Sequence, residues 1–245
     1  MSTATPDRIS RYAGWATYAS AACWIIGNVT VLLFYALELP QSLADGTEPR
    51  LFGPLSDYAS TLQFVFLAPL PLALRRMSSS RRASPGSVAA ALGVIGSLTG
   101  AVAQGLLVAH VVEFEVNLPI ILVALLLIGA WMFLASRQGQ SEGYFSSRQA
   151  RLGKLAGASL ALLTALAFAV GMAVALNPGV ASNLGALTGP NVALIGLTVA
   201  LCIPGILAYF FGVPLWLIGV GRRLLSGDAT PEQSNRPSAL VGSPK

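Results

Sequence analysis

The feature that most constrains this chain is the length of its uncharged stretches. From Leu155 to Gly221 there is no Asp, Glu, Lys or Arg, about three times the ~20 residues that cross a bilayer as one helix. Four further uncharged runs precede it: Tyr12–Leu37, Tyr58–Leu74, Ala83–Val112 and Val116–Ser136. Only 10% of the 245 residues are charged, against about 25% in a soluble domain. The composition excludes an ordinary cytosolic enzyme, a disordered chain and a disulfide scaffold.

We therefore predict an all-α protein, a polytopic transmembrane bundle of six helices. The longest uncharged run divides at Asn177–Pro178–Gly179 and at the Thr188–Asn191 segment, which contain turn-forming residues. Residues 1–12 and 226–245 are predicted to be polar tails, the second of them disordered, and residues 13–225 the membrane domain. The predicted spans are residues 13–37, 56–74, 87–111, 118–136, 154–176 and 192–218.

The charges sort to opposite sides of this predicted topology. Of the 15 basic residues, 14 fall on the side of the two tails, and only Arg50 falls on the other. The positive-inside rule then places both termini in the cytoplasm, and we expect a multi-pass protein of a bacterial inner (plasma) membrane. The basic residues border the helix ends, where they set topology and meet anionic lipid. We therefore expect the lipid bilayer as a partner and no nucleic acid.

One polar cluster stands at the outer end of the third predicted span. Together with the acidic residue that begins the second span, it supplies the catalytic candidates: His110, Glu113, Glu115 and Asp57. His110 and Glu113 share a face if the third helix continues through them, and carboxylates beside an imidazole can serve as acid and base. The alternative is a polar helix end at the membrane surface. Because His110 is the only histidine, we expect no metal site and no cofactor.

Uncharged polar residues inside the spans are the candidates for ligand binding: Asn28, Gln63 and Gln104. Each can line a cavity or form a hydrogen bond between helices, which is the commoner use. No Asp, Glu, Lys or Arg lies deep in a span, and this argues against a proton relay or an ion pathway.

Several packing features also follow from the pattern. Gly93, Gly96 and Gly100 leave one helix face bare, which predicts close packing within the bundle. Trp131 and Trp216 fall at the depth of the aromatic belt of the inner membrane surface, whereas Trp24 falls deeper and is expected to be packed. The sixth span contains two prolines, and we expect its kink near the first of them, Pro204. The two cysteines, Cys23 and Cys202, are expected to be small packing residues.

Two segments resemble small bacterial six-span membrane proteins of uncharacterised families. These are Phe52–Tyr58 (FGPLSDY), which opens the second span, and Phe211–Leu225, which closes the sixth. The resemblance implies the membrane architecture and no activity. We expect a non-enzymatic protein that binds or moves a small apolar or amphipathic, lipid-like molecule, or that accompanies another membrane protein as a partner subunit. The alternative is a membrane-embedded enzyme with an exterior site around Asp57, His110, Glu113 and Glu115.

Overall fold

The computed structural model describes residues 8–46, 51–77, 85–176 and 202–226, and within these ranges the chain is helical with no strand. The all-α prediction is therefore confirmed over the described part of the chain. The helices are α1 (Arg8–Leu33), α2 (Leu39–Asp45), α3 (Phe52–Leu67), α4 (Pro69–Met77), α5 (Pro85–Val108), α6 (Phe114–Ser141), α7 (Ser147–Leu176) and α8 (Cys202–Ser226). A π-helical turn, Phe34–Glu38, joins α1 to α2, and a second, Ala208–Gly212, lies within α8.

Five of the described helical segments are long and apolar enough to cross a membrane by themselves: Arg8–Asp45, Gly86–Val108, Phe114–Ser141, Ser147–Ala169 and Cys202–Ser226. They mark the chain as a membrane protein. The second predicted span instead corresponds to two shorter helices, α3 with 16 residues and α4 with 9. Pro69 and Pro71 cause the interruption, because neither has an N–H to continue the hydrogen-bond ladder. Ala68 between the helices keeps helical dihedral angles, φ −54° and ψ −36°.

The helices form a ring in which chain neighbours pack together. α1 packs against α3 and α8, α3 against α5, α5 against α6, and α6 against α7, while α7 closes the ring on the π-helical turn of α8. Large apolar side chains such as Ile95 and Val102 face outward. The buried hydroxyls of Thr17, Ser97 and Thr164 bond carbonyls one turn back in their own helices. This distribution suits a chain that is solvated by hydrocarbon.

Glycines bring the helices into close contact. A Cβ on Gly129 would lie 2.8 Å from the carbonyl oxygen of Gly157, and one on Gly157 would lie 2.6 Å from that of Gly129, so α6 and α7 meet backbone to backbone. On α5, Gly93 lies against Trp131, Gly96 against α6, and Gly100 against Phe64. The predicted packing of this glycine face within the bundle is confirmed.

One end of the bundle collects the ends of helices that carry arginines, and we call it the basic end. Here Gly14 lies against Leu225, and the guanidinium of Arg223 donates to the carbonyl of Tyr144. Lys154 donates to Gln140 across the α6–α7 connection at 2.8 Å. The opposite end, which carries Asp57 and His110, we call the His110 end.

Three aromatic residues close the basic end. The rings of Trp131 and Trp216 are nearly perpendicular with centroids 5.6 Å apart, and Phe145 stacks edge-on against Trp216 at 6.1 Å. All three side chains are buried. The prediction that Trp131 and Trp216 belong to an interfacial belt is therefore wrong, since both rings point into the bundle. The expectation that Trp24 is packed is confirmed, because its side chain is fully buried.

Several predicted boundaries move. Helix α1 begins at Arg8, inside the predicted tail, and the polar segment between the fourth and fifth spans shortens to the connection between Ser141 and Ser147 because both flanking helices extend into it. The predicted turns near Pro178 and Pro190, the start of the sixth span, and residues 227–245 of the predicted disordered tail lie outside the described residues.

Candidate functional site

A cleft of about 610 Å³ opens at the His110 end between α1, α3 and the α5–α6 connection. Apolar and aromatic side chains form most of its wall, and Asp57, His110 and Ser56 supply polar groups. The lining residues are Val31, Phe34, Tyr35, Leu39, Gly53, Pro54, Ser56, Asp57, His110 and Phe114. A mostly apolar wall with few polar groups is typical of small-molecule sites, and the volume lies in their usual range.

The first π-helical turn brings aromatic side chains to this cleft. The N–H of Leu39 bonds the carbonyl of Phe34, five residues back, and Pro40 follows immediately. Proline cannot donate a hydrogen bond and its ring crowds the preceding turn, so the helix widens for one turn before it continues as α2. Phe34 and Tyr35 lie in this widened turn and line the cleft.

Glu38 fixes the wall formed by α3. Its carboxylate oxygens accept hydrogen bonds from the backbone N–H groups of Leu51 at 2.6 Å, Phe52 at 2.7 Å and Gly53 at 3.1 Å. These donors belong to the first turn of α3, where a negative charge is favourable. Asp57, which begins the second predicted span, lies within α3, because the helix begins five residues earlier, at Phe52.

His110 ends α5 in an unusual backbone conformation. Its N–H bonds the carbonyl of Leu107 at 2.9 Å, and the N–H of Val111 bonds that of Leu106 at 2.9 Å. This pair of bonds is a Schellman motif, in which the residue at the position of His110 is left-handed and usually glycine. His110 has φ +55° and is the only described non-glycine residue with positive φ. The backbone here is strained, and such strain is often retained at functional sites.

The end of α5 separates the residues that the helical spacing had grouped. Because α5 ends at Val108, His110 and Glu113 do not share a helical face, and that expectation is wrong. Asp57 and His110 line the same cleft, whereas Glu113 and Glu115 are exposed and are not part of the described lining. Within the described ranges, no group of three His, Cys, Asp or Glu side chains is arranged to hold a metal ion.

Asn28 and Gln63 lie away from the cleft, in a hydrogen-bonded layer between α1, α3 and α8. Asn28 donates to the carbonyl of Phe210 at 3.4 Å, and Trp24, one turn away, donates to that of Tyr209 at 2.9 Å. The Gln63 amide bonds the hydroxyl of Tyr209. The structure thus places two ligand-binding candidates in contacts between helices.

Trp24 and Asn28 donate to carbonyl groups of the second π-helical turn. This turn leaves those carbonyls without a backbone donor from α8. Val213 bonds five residues back to Ala208, and Pro214 follows without an N–H, as Pro40 follows Leu39 in the first such turn. The described irregularity of α8 therefore precedes Pro214. The described part of α8 begins at Cys202, so the turn before Pro204 lies outside the described residues and the predicted break there stays a prediction.

Gln104, the third ligand-binding candidate, is partly buried on α5. Its Oε1 is buried without a hydrogen-bond partner, as is Oδ1 of the buried residue Asn117. Neither residue is among the described residues that line the cleft.

The aromatic wall and the role of Glu38 were not predicted from the sequence. The signal for the wall was available: an aromatic pair, Phe34–Tyr35, stands four residues before the Glu38–Leu39–Pro40 segment, and a proline there predicts a distorted turn. The Glu38 contacts join residues that are 13 to 15 positions apart in the sequence, across a connection. The periodicity of a helix cannot predict contacts of this kind.

Comparison with known proteins adds no functional assignment. No family model matches the chain, and no curated protein or solved structure matches it.

Proposed function

We propose that this protein is a six-span protein of a bacterial inner membrane that binds a small apolar or amphipathic molecule in the cleft at the His110 end. The single observation that carries the binding function is the cleft itself, about 610 Å³ with aromatic walls and two ionisable side chains. A cleft of this kind suits a lipid-like molecule, whose tail contacts the apolar wall and whose head meets Asp57 and His110.

For the topology, we propose that α3 and α4 together form the second crossing. Phe52 to Met77 comprises 26 residues, which as a helix spans roughly 39 Å, enough for the ~30 Å hydrocarbon core. Six crossings place both termini on the cytoplasmic side, with the basic end inward. Single cysteines at Arg76 and at Glu115, in a variant with Cys23 and Cys202 replaced by alanine, should be labelled from opposite sides of the membrane.

The binding function can be tested by filling the cleft. Val31→Trp adds an indole to the cleft wall, whereas Val102→Trp adds the same group to an exposed position on α5. We expect Val31→Trp to lower the binding of an uncharged dodecyl amphiphile by tenfold or more, measured by equilibrium dialysis against empty dodecyl maltoside micelles. Val102→Trp should bind as the wild type does. Equal binding by all three proteins would contradict the proposal.

The alternative function is acid–base chemistry on the bound molecule. It is favoured by one observation, that a carboxylate and an imidazole line the same cleft. Native mass spectrometry of the wild type and of His110→Ala discriminates the two functions. An enzyme would retain molecules of different mass in the two proteins, substrate in the variant and product in the wild type, whereas a binding protein would retain the same molecule in both. A partner subunit would instead copurify with a second membrane protein in mild detergent.

A further inference from the structure

We infer that the molecule bound in the cleft carries a cationic head group, an amine or a quaternary ammonium, on an apolar tail. This inference rests on the proposed binding function and adds the charge of the ligand to it. The apolar part of the cleft wall suits the tail. The charged side chain and the aromatic rings of the cleft suit a cationic head group.

Asp57 lines the cleft without a described counter-charge. Its side chain is half-buried and lines the cleft, and no described side chain forms an ion pair or hydrogen bond with its carboxylate. A carboxylate removed from water without a partner is costly. The hydroxyl of Thr61, one turn further along α3, bonds the backbone carbonyl of Asp57. A ligand cation supplies the missing counter-charge.

The cleft offers few groups that could bind an anion. A helix start is the usual backbone site for an anionic head group, and α3 begins in the wall of this cleft. Its N–H groups at Leu51, Phe52 and Gly53 already bond Glu38, which also neutralises the positive end of the helix. Among the described lining residues, His110 is the only one that can carry a positive charge.

Aromatic rings form a large part of the cleft wall. Phe34, Tyr35 and Phe114 come from two different parts of the fold and line one cleft. Aromatic faces attract ammonium groups through their quadrupole, by about 0.5–2 kcal/mol at each favourable site. Val31, Leu39 and Pro54 leave the remaining wall apolar, which suits an alkyl tail.

The surroundings point the same way. Glu113 and Glu115 follow His110 closely in the sequence and are exposed, whereas the whole chain has a net charge of +5. Non-specific attraction by the protein as a whole would therefore favour anions. A preference for cations would have to come from the local site.

The experiment compares dodecyl amphiphiles that differ only in the head group, with the full-length protein in uncharged dodecyl maltoside micelles. The probes are dodecyltrimethylammonium, dodecyldimethylphosphine oxide and dodecyl sulfate, at trace amounts. Bound probe is measured by equilibrium dialysis, after subtraction of partition into empty micelles. The proteins are the wild type, Asp57→Asn and the control Glu115→Gln, which removes an exposed carboxylate outside the cleft.

We expect the wild type and Glu115→Gln to bind the ammonium probe roughly tenfold more tightly than the uncharged probe, which corresponds to about 1.4 kcal/mol. Asp57→Asn should lose this preference and keep its affinity for the uncharged probe, which also shows that the variant is folded. A lauroyl lysophosphatidylcholine arm distinguishes the source of the ammonium: binding equal to that of dodecyltrimethylammonium indicates a lipid head group, and weaker binding indicates a free cationic amphiphile.

Equal affinity of the wild type for the cationic and uncharged probes would overturn the inference and leave the binding function standing. The same holds for a preference for dodecyl sulfate, or for a cation preference that survives in Asp57→Asn. If none of the probes binds to the wild type, the binding function itself fails.

Discussion

The two ends of the bundle use aromatic side chains in opposite ways. At the basic end, Trp131 and Trp216 meet at 5.6 Å and are buried. At the His110 end, Tyr35 and Phe114 are exposed and border a cleft of about 610 Å³. The basic end is built from regular helices that glycines bring together. The His110 end is built from a π-helical turn, a helix start and a left-handed cap, and these irregular elements hold the side chains apart.

The packed basic end therefore contributes stability, and the open His110 end has room for a ligand. Deleting a buried aromatic side chain removes contacts and leaves a void, whereas deleting an exposed one in a cleft wall removes little. The same kind of substitution should therefore have unequal effects at the two ends.

The largest effect is expected for Trp131→Ala. The side chain is 1% exposed, and its loss should destabilise the protein by about 3–5 kcal/mol, measured as reversible unfolding in mixed micelles. Phe114→Ala, which truncates a ring that is 60% exposed, should cost less than about 1 kcal/mol. Similar losses for the two variants would refute the division between a closed and an open end.

Gly153→Ala should have the next largest effect. A Cβ at Gly153 would lie 2.0 Å from Oγ of Ser136 and 2.2 Å from Nε1 of Trp216, so three helices would have to separate. Overpacking of this kind costs about 1–3 kcal/mol. The matched control is Gly105→Ala on α5, where nothing lies within 4 Å and helix propensity favours alanine by up to about 1 kcal/mol. If Gly153→Ala unfolds at the wild-type midpoint, the close contact is not required.

The sequence predicts the helices and much of their packing because both depend on local pattern. Uncharged runs report which segments are helical and apolar, and the Gly93–Gly96–Gly100 spacing reports a face that another helix approaches closely. Sequence position gives the depth of a side chain along a helix. It does not give the direction in which that side chain points, which depends on how neighbouring helices cross, and for this reason Trp131 and Trp216 were assigned to the surface.

The candidate site is predictable only in part, for a related reason. Asp57 and His110 were identified as ionisable residues near the same predicted surface, and the fold brings them to one cleft. Their grouping with Glu113 failed because it assumed that α5 continues past His110. A glycine at residue 110 would have signalled the helix end, but the chain has histidine there. Contacts between distant residues, such as that of Glu38 with the start of α3, follow from the assembled fold.

Glu38→Gln should destabilise the His110 end by about 1–2 kcal/mol, because an amide keeps one acceptor oxygen and loses the charge that favours a helix start. Hydrogen exchange at Leu51, Phe52 and Gly53 should become faster, while exchange in the α6–α7 contact stays unchanged. Glu113→Gln is the control, since Glu113 makes no side-chain bond to the start of α6. Unchanged exchange in Glu38→Gln would show that the cap does not hold the cleft wall.

The smallest effect is expected from a pair of His110 variants that distinguishes the role of the backbone from that of the imidazole. His110→Gly removes the strain of a left-handed φ, whereas alanine retains it at φ +55°. Because both variants lack the imidazole, the free energy of unfolding of His110→Gly should exceed that of His110→Ala by about 1 kcal/mol. If the two unfold at the same midpoint, the left-handed cap does not contribute to stability. If the binding of the uncharged dodecyl probe falls equally in both, the imidazole is the group that the cleft requires. A fall in His110→Gly alone would instead assign that role to the rigid cap, which holds the α5–α6 connection against the cleft.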